Sequence, residues 1–188
     1  MRRQAIATRV WTIQGGDVLA ALSAGRVWRA RAAHVEAGWR PAYRWMTRAM
    51  TGALGPPEVP DQMPIWCWCQ WRGEHRRRPD LRVSGHLPRG TPGVLLELQL
   101  APGRMLRSDF ELWHYVLNGW YLPASAADER AFEADPDPQR IEPSWDRIFD
   151  LQGHSRRYTA ARAERSIQGV IWELRPADVV QSTPFVAR

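Results

Sequence analysis

The sequence contains no lysine: all 26 basic side chains are arginines, set against 20 acidic residues. Because codons for arginine, alanine and glycine are GC-rich, this bias indicates a GC-rich genome more than a specific ligand. The formal net charge of +6 is also unevenly distributed. Residues 1–107 hold 17 arginines and seven acids, whereas residues 108–188 hold nine arginines and 13 acids. We therefore expect any anionic partner to bind the N-terminal half.

No apolar run approaches the roughly 18 residues of a membrane span. The basic start of the chain is not followed by the apolar segment of a secretory signal. We therefore expect a soluble, cytoplasmic protein with no membrane partner. The 44% hydrophobic and 24% charged residues are typical of a globular protein, and a length of 188 residues suits one domain. We predict a flexible N-terminus over residues 1–8 and a single α+β domain over residues 9–188.

The chain has only two cysteines, Cys67 and Cys69, both within the tryptophan-rich segment 64–71. The alternation of this segment predicts a central strand that is apolar on both faces. Together with His75 and His86 the cysteines would provide four zinc ligands, but their spacing matches no standard zinc finger. We predict small buried core cysteines and no metal site.

Strand and helix patterns alternate irregularly along the chain. They predict a mixed α+β domain with a central, mostly antiparallel sheet of four or more strands and about four helices. Helix starts are predicted from a cap at Asp17, from Pro41, from a capping box at Ser108–Glu111 and from Ser144. Residues 124–142 are predicted as an acidic surface loop that contains at most a short helix. The predicted strands cover residues 9–14, 26–30, 65–71, 94–100 and 167–174.

The 11 tryptophans exceed what a core of this size needs, and several stand beside a polar residue at the end of an element. Indole rings can stack on a flat ligand while polar neighbours bind its edge, although tryptophan is more often a core residue. The pattern predicts a pocket for a nucleotide-like or aromatic small molecule. The candidate ligand-binding residues are Trp11, Thr12, Gln14, Tyr43, Trp45, Trp66, Trp113 and Gln168.

Asp109 and His114 are the candidate catalytic residues, because both belong to one predicted helix. A desolvated histidine near a carboxylate can act as a general acid or base. The structural alternative is that a backbone carbonyl binds His114 and that Asp109 neutralises the positive end of the helix. Ser108 is not predicted to be a nucleophile, because it lacks the glycine elbow of a serine hydrolase.

The run of arginines at Arg76, Arg77 and Arg78 supports a second hypothesis, namely nucleic-acid binding by the basic N-terminal half. Arginines interleaved with aromatic residues are typical of surfaces that bind single strands. An arginine run in a loop is more often a solvated surface. A third hypothesis is a non-catalytic protein-interaction module, which predicts an exposed apolar patch instead.

Several tryptophan-containing motifs follow one another over nearly the whole chain. They are Trp11-Thr12-Ile13-Gln14, Tyr43-x-Trp45-Met46, Pro64-Ile65-Trp66-x-Trp68, Ser108-Asp109-Phe110-x-x-Trp113-His114-x-x-Leu117-Asn118, Ser144-Trp145-x-x-Ile148-Phe149 and Ile167-Gln168 to Trp172-Glu173. Their content and order resemble an uncharacterised bacterial family, domain of unknown function 3841. That family has no assigned activity, so the resemblance implies a name and no mechanism.

The order of elements also loosely resembles the fold of the NAD-using ADP-ribosyltransferases: a first strand, a short helix that ends in glycine, a second strand and a late closing strand. That fold carries a histidine or arginine on its opening strand and a glutamate on a late strand. Here Thr12 stands at the plausible first position, and Gln168 or Glu173 at the late one. The resemblance, which is one of element order only, implies a divergent NAD-using transferase or a former enzyme that still binds a nucleotide.

Overall fold

The structure is a computed structural model that describes residues 7–188. Eight strands are present in this part of the chain: β1 Thr8–Gly15, β2 Ala30–Arg31, β3 Gln62–Met63, β4 Ile65–Gln70, β5 Pro92–Leu100, β6 Leu106–Asp109, β7 Ile167–Ile171 and β8 Val179–Val186. Six of them form one antiparallel sheet in the order β6-β7-β4-β1-β5-β8, and β2 pairs with β3 in a short ribbon. The predicted α+β class and the antiparallel sheet are confirmed.

Five α-helices accompany the sheet in the described residues: α1 Gly16–Ser23, α2 Arg40–Leu54, α3 Phe110–Leu117, α4 Ala126–Ala134 and α5 Ile141–Ser144. A 3-10 helix, Trp145–Phe149, follows α5 directly. The helix α4 lies in the stretch predicted as an acidic loop, and it begins where the Ser125 hydroxyl accepts a hydrogen bond from the backbone N–H of Asp128. Within residues 7–188, every helix is too short or too polar to cross a membrane.

One face of the six-stranded sheet is aliphatic. Alternate residues of the central strands, such as Val10, Cys67 and Leu96, point to this face and are almost fully buried. Helix α1 covers it with Val18 and Leu22. Burial of each such side chain stabilises the fold by roughly 1.5–3 kcal/mol. We call this side of the sheet the aliphatic face.

The opposite face carries Trp66 and Val170, and helices α2 and α3 pack on it together with the 3-10 helix. Met46 of α2, Leu112 of α3 and Ile148 of the 3-10 helix are all fully buried there. The alternation of β4 explains the division, since Ile65, Cys67 and Cys69 are buried while the intervening residues are half-buried. We call this second side the tryptophan face.

The structure differs from the element predictions in several places, one of which is that Gly15, and not Asp17, is the cap of α1. Ser108 is the third residue of β6 and is not the helix cap; Asp109 is the cap, because its carboxylate accepts hydrogen bonds from two backbone N–H groups of α3. The predicted strand 26–30 is reduced to an isolated bridge between Trp28 and Leu174, followed by β2. The edge strand β8 was not predicted, because its mostly exposed residues lack the apolar alternation of a half-buried strand.

The predicted flexible N-terminus meets the sheet at Thr8, the first residue of β1. Residues 1–6 of that segment lie outside the described residues. Thr8 is already paired with Leu100 of β5. The structured part of the chain therefore extends at least one residue before the predicted boundary.

Candidate functional site

The neighbouring central strands β1 and β4 are paired over a short stretch only, where Trp11 lies opposite Trp68. Next to this pair, a side chain replaces the backbone ladder: the Thr12 hydroxyl donates a hydrogen bond to the carbonyl of Trp66 at 2.7 Å. Gln14 then donates from Nε2 to the Thr12 hydroxyl oxygen at 2.6 Å. The two strands therefore separate toward Gln14, and the separation leaves space between their ends.

A cavity of about 310 Å³ occupies this space, and we call it the β1–β4 cavity. Gln14, Tyr43 and Trp66, three of the predicted ligand-binding residues, line it together. Trp28 and His34 line it as well, with ring centroids 5.5 Å apart. Sequence reasoning missed these two, because the residues after α1 were expected to form a regular strand and not a wall.

The aromatic side chains at this cavity form a contacting group. The Tyr43 ring lies edge-on to Trp66, with centroids 6.0 Å apart, and Trp113 packs 4.6 Å from Trp66. Trp113 also contacts Tyr43, at 6.1 Å. The predicted aromatic residues Tyr43, Trp66 and Trp113 are thus brought together, with Trp113 supporting the other two from α3.

The polar groups of Tyr43 and Trp66 beside the β1–β4 cavity are buried, and one of them has no hydrogen-bond partner among the described residues. Burial raises the pKa of the Tyr43 phenol, and the nearby Trp66 indole offsets a part of this rise. That contact falls outside hydrogen-bond geometry, so Nε1 of Trp66 is buried without a partner among the described residues. A buried donor without an acceptor costs about 1–3 kcal/mol. This atom has almost no accessible surface, so a ligand in the cavity would contact the indole ring and not Nε1.

Other predicted ligand-binding residues lie elsewhere. Trp45 stacks on Phe149, with centroids 5.7 Å apart and planes 8° from parallel, and is 6% exposed within the core beneath α2. Trp11 and Gln168 belong to a row of residues across the tryptophan face, in which Trp68 pairs with both of them. Of the predicted ligand-binding residues, Gln14, Tyr43 and Trp66 therefore line the β1–β4 cavity, while Trp45 has the surroundings of a core residue.

The row extends across most of the sheet. Ser108 pairs with Gln168, and Trp11 pairs with Glu97, to which its Nε1 donates a hydrogen bond at 3.0 Å. The Ser108 hydroxyl and Oε1 of Gln168 are buried and have no partner among the described residues. These residues form a row on the same face of the sheet as Trp68, separate from Gln14.

Asp109 and His114 do not line the β1–β4 cavity. Asp109 is fully buried, caps α3 and accepts a hydrogen bond from the Thr159 hydroxyl at 2.7 Å. Nδ1 of His114 lies 3.0 Å from the carbonyl of Phe110, one helical turn earlier. Asp109 thus caps a helix and His114 contacts a backbone carbonyl, as expected for residues that stabilise the fold. No contact between the two side chains is present in the described residues.

Glu173, one of the two late positions suggested by the transferase resemblance, is held in ion pairs within the fold. Glu173 is 5% exposed and lies between two arginines, with N–O distances of 2.6 Å to Arg29 and 2.5 Å to Arg175. It lines a separate cavity of about 180 Å³. Thr12 is fully buried and engaged with Trp66. Thr12, Gln168 and Glu173 therefore do not meet at one cavity.

The cysteines are buried on the aliphatic face and form no disulfide. Burial raises the pKa of both thiols, that of Cys69 to about 12. Sγ of Cys69 lies 3.7 Å from Sδ of Met105. In residues 7–188, no group of three or more His, Cys, Asp or Glu side chains is arranged to hold a metal ion.

A second, larger cavity of about 690 Å³ lies at the far end of β4, beside the hairpin Trp71–Arg77. We call it the hairpin cavity. The predicted arginines Arg76, Arg77 and Arg78 all line it. Sequence reasoning missed its aromatic members, because Trp71 was assigned to the end of a strand and Trp11 to a different pocket. Its main lining residues are Trp11, Trp71, Arg72, Arg76, Arg77, Arg78 and Arg82.

Comparison with known proteins places the chain in a family. The model of the family described as Domain of unknown function (DUF3841) matches residues 9–141, which is well over half of the chain. No curated protein and no solved structure matches it. The matched region holds Gln14, Tyr43 and Trp66, and also the arginines of the hairpin cavity. The chain therefore belongs to the family of domain of unknown function 3841.

Proposed function

We propose that the β1–β4 cavity binds a planar aromatic small molecule, such as the base of a nucleoside. The observation that carries this proposal is the aromatic wall of Tyr43 and Trp66, which lines one cavity together with the polar side chain of Gln14. A heteroaromatic ring offers acceptor atoms at its edge and an apolar surface on its faces. Binding such a ring would cover the aromatic wall, and the Gln14 side chain would bind the polar edge of the ring.

The size of the cavity limits the ligand. Small-molecule pockets range over roughly 300–1,000 Å³, and about 310 Å³ stands at the lower end of that range. The cavity is therefore suited to one heterocycle with at most a sugar. A whole dinucleotide would have to extend beyond it.

The charge of the cavity limits the ligand further. Asp17 and His34 are the ionisable side chains that line it besides Tyr43, and no arginine lines it. A phosphate in contact with Asp17 would be repelled, whereas a neutral or cationic ring would not. Cationic rings are also attracted to the faces of tryptophan and tyrosine. We infer that the part of the ligand inside the cavity is neutral or positively charged.

The nicotinamide ring of oxidised NAD is a planar cation and is one candidate of this class. The proposal is confined to binding, because Glu173 is paired with two arginines and lines a different cavity. A transfer reaction would need a group that stabilises charge next to the bound ring. We assign no such residue.

The test is a thermal-shift and fluorescence titration with nicotinamide, N-methylnicotinamide, adenosine, guanosine and NAD. At least one ring is expected to raise the melting temperature and to quench tryptophan emission. The substitution Trp66→Phe replaces the indole of the wall with a smaller ring, so we expect it to weaken binding up to about tenfold, because an aromatic contact contributes about 0.5–1.5 kcal/mol. Gln14→Ala is expected to weaken binding in the same direction.

Trp45→Phe is the matched control, since this change also removes one indole but lies in the core beneath α2. It is expected to lower stability and to leave ligand affinity unchanged. The proposal is wrong if none of the five compounds shifts the melting temperature of the unmodified protein, or if Trp45→Phe and Trp66→Phe weaken binding equally.

A further inference from the structure

We propose that the hairpin cavity binds single-stranded nucleic acid, with a base held against the half-buried Trp71 and the phosphates bound by arginines. Five arginines line the cavity against two carboxylates, Glu74 and Asp80. This site is distinct from the β1–β4 cavity, which no arginine lines. Aromatic rings combined with a basic groove are the features by which proteins bind single strands.

The hairpin is held in a fixed conformation. Backbone N–H groups of Trp71 and Arg72 donate to the carbonyls of Arg77 and Arg76, both at 3.0 Å. The backbone N–H of Gly73 donates to the carbonyl of Arg165 at 3.1 Å, which joins the hairpin tip to a distant segment. The cavity wall is therefore organised before a ligand arrives, and this reduces the entropic cost of binding.

The arginines of the cavity divide into two groups. Arg77 is structural, because its guanidinium donates to the carbonyls of Cys69 and Arg9 and lies over the Trp11 ring at 5.7 Å. Arg82 is paired with Asp80, at 2.8 and 2.7 Å. Within the described residues, Arg72, Arg76 and Arg78 form no ion pair, and all three are exposed. The guanidinium of Arg72 lies over the Trp71 ring, and Arg78 donates a hydrogen bond to the Thr183 hydroxyl at 3.4 Å. Arg72, Arg76 and Arg78 are therefore the side chains available to bind phosphate.

The basic surface continues past the hairpin. A neighbouring cavity of about 440 Å³ shares Glu74 and Arg77 with the hairpin cavity, and the exposed Arg107 and Arg162 line it. Two adjacent basic cavities provide positions for more than one phosphate, which favours a strand over a single nucleotide. The base must reach Trp71 outside a duplex, because paired bases are stacked on one another. The structure therefore points to an unpaired strand that follows the hairpin.

Fluorescence anisotropy with a labelled oligothymidine of about ten nucleotides tests the inference, since such a length covers a typical binding site. The wild-type protein is expected to bind it, with an affinity that falls steeply as salt rises. The double substitution Arg76→Ala/Arg78→Ala should weaken binding at least tenfold. It should also reduce the slope of log affinity against log salt by about 1.4, or roughly 0.7 for each lost phosphate contact.

Arg44→Ala is the matched control, because it removes the same charge from an exposed position of α2 that lines neither basic cavity. It is expected to change the affinity less than twofold. A duplex of the same length and inorganic polyphosphate are expected to compete poorly with the oligothymidine. The inference is overturned if the strand does not bind at low salt, if Arg44→Ala acts like the double substitution, or if polyphosphate or duplex competes equally well.

Discussion

Asp109 and Arg165 face each other in the interior, with Oδ2 of Asp109 3.7 Å from Nε of Arg165 and both side chains less than 5% exposed. Arg165 also donates to the carbonyls of Leu151 and His154. The carboxylate of Asp109 caps α3 and binds Thr159. This buried pair therefore joins the start of α3 to the loop that precedes β7, and its contacts indicate a structural role.

Replacing Asp109 with alanine is expected to lower the free energy of unfolding by about 3–5 kcal/mol, because Arg165 would keep a buried charge without its partner. Urea denaturation followed by circular dichroism measures this change. Asp137→Ala is the control, since Asp137 also caps a helix but is part of an exposed 3-10 turn. The control should cost about 1 kcal/mol. Equal effects of the two substitutions would contradict the structural role of the buried pair.

The thiols of Cys67 and Cys69 are expected to be unreactive in the folded protein. Burial raises the pKa of both, to about 12 for Cys69, and the thiolate is the reactive form. With 5,5′-dithiobis(2-nitrobenzoic acid) at pH 8, neither thiol should react until denaturant unfolds the chain, after which both should react. Rapid modification of either one under native conditions would show that the aliphatic face opens to solvent.

The ionised carboxylate of Asp128 is expected to stabilise the fold, and this stabilisation depends on pH. A hydrogen bond from the backbone N–H of Ala124 lowers the pKa of its carboxyl group, and the Tyr121 hydroxyl contributes as well. Its folded pKa is therefore below the unfolded value of about 3.9. The stabilisation is fully present above that value and is lost as the pH falls through the folded pKa.

In a pH series of urea unfolding, Asp128→Asn is expected to show a smaller loss of stability below about pH 4 than the wild type. Asp135→Asn, at an exposed position just after α4, provides the comparison. An identical acid limb for wild type and Asp128→Asn would refute the prediction.

The sequence identified the main strands because their residues alternate. Val94 to Leu100 repeats an apolar residue at every second position, and the observed β5 contains this segment with the expected face buried. The edge strand β8 has no such signal, because its stability depends on pairing with β5 rather than on its own burial pattern. The helix cap was assigned one residue too early, since Ser108 and Asp109 are both good capping residues and only tertiary contacts decide between them.

The candidate cavity could be predicted only in part. Gln14, Tyr43 and Trp66 come from β1, α2 and β4, and their residue types, aromatic or amide, made each of them a candidate for ligand binding. What the sequence did not contain was the separation of β1 from β4, which depends on Thr12 binding a backbone carbonyl of the neighbouring strand. Trp45 is a tryptophan like Trp66 and lies on the same helix as the cavity residue Tyr43, yet its position on α2 directs it into the core.

Gly73 provides a test of the hairpin that does not depend on any ligand. Its φ is +89°, and a Cβ atom there would lie 2.4 Å from the carbonyl oxygen of Ala163. Gly73→Ala therefore places an alanine in a left-handed backbone conformation. Its Cβ atom would also overlap with backbone atoms of Ala163, which cannot move away as a flexible side chain could. We expect a loss of stability clearly larger than the roughly 1–2 kcal/mol of left-handed strain alone.

Gly25→Ala isolates the strain, because Gly25 has a similar φ of +74° but open space around its Cβ position. Thermal unfolding of both variants should show a larger decrease in melting temperature for Gly73→Ala. At a temperature where both remain folded, only Gly73→Ala should also weaken oligothymidine binding, since it displaces the hairpin from the segment around Arg165. Equal decreases in melting temperature for the two variants would mean that the contact between the hairpin and Ala163 adjusts at little cost. The conclusion that the hairpin is held in a fixed conformation would then be wrong.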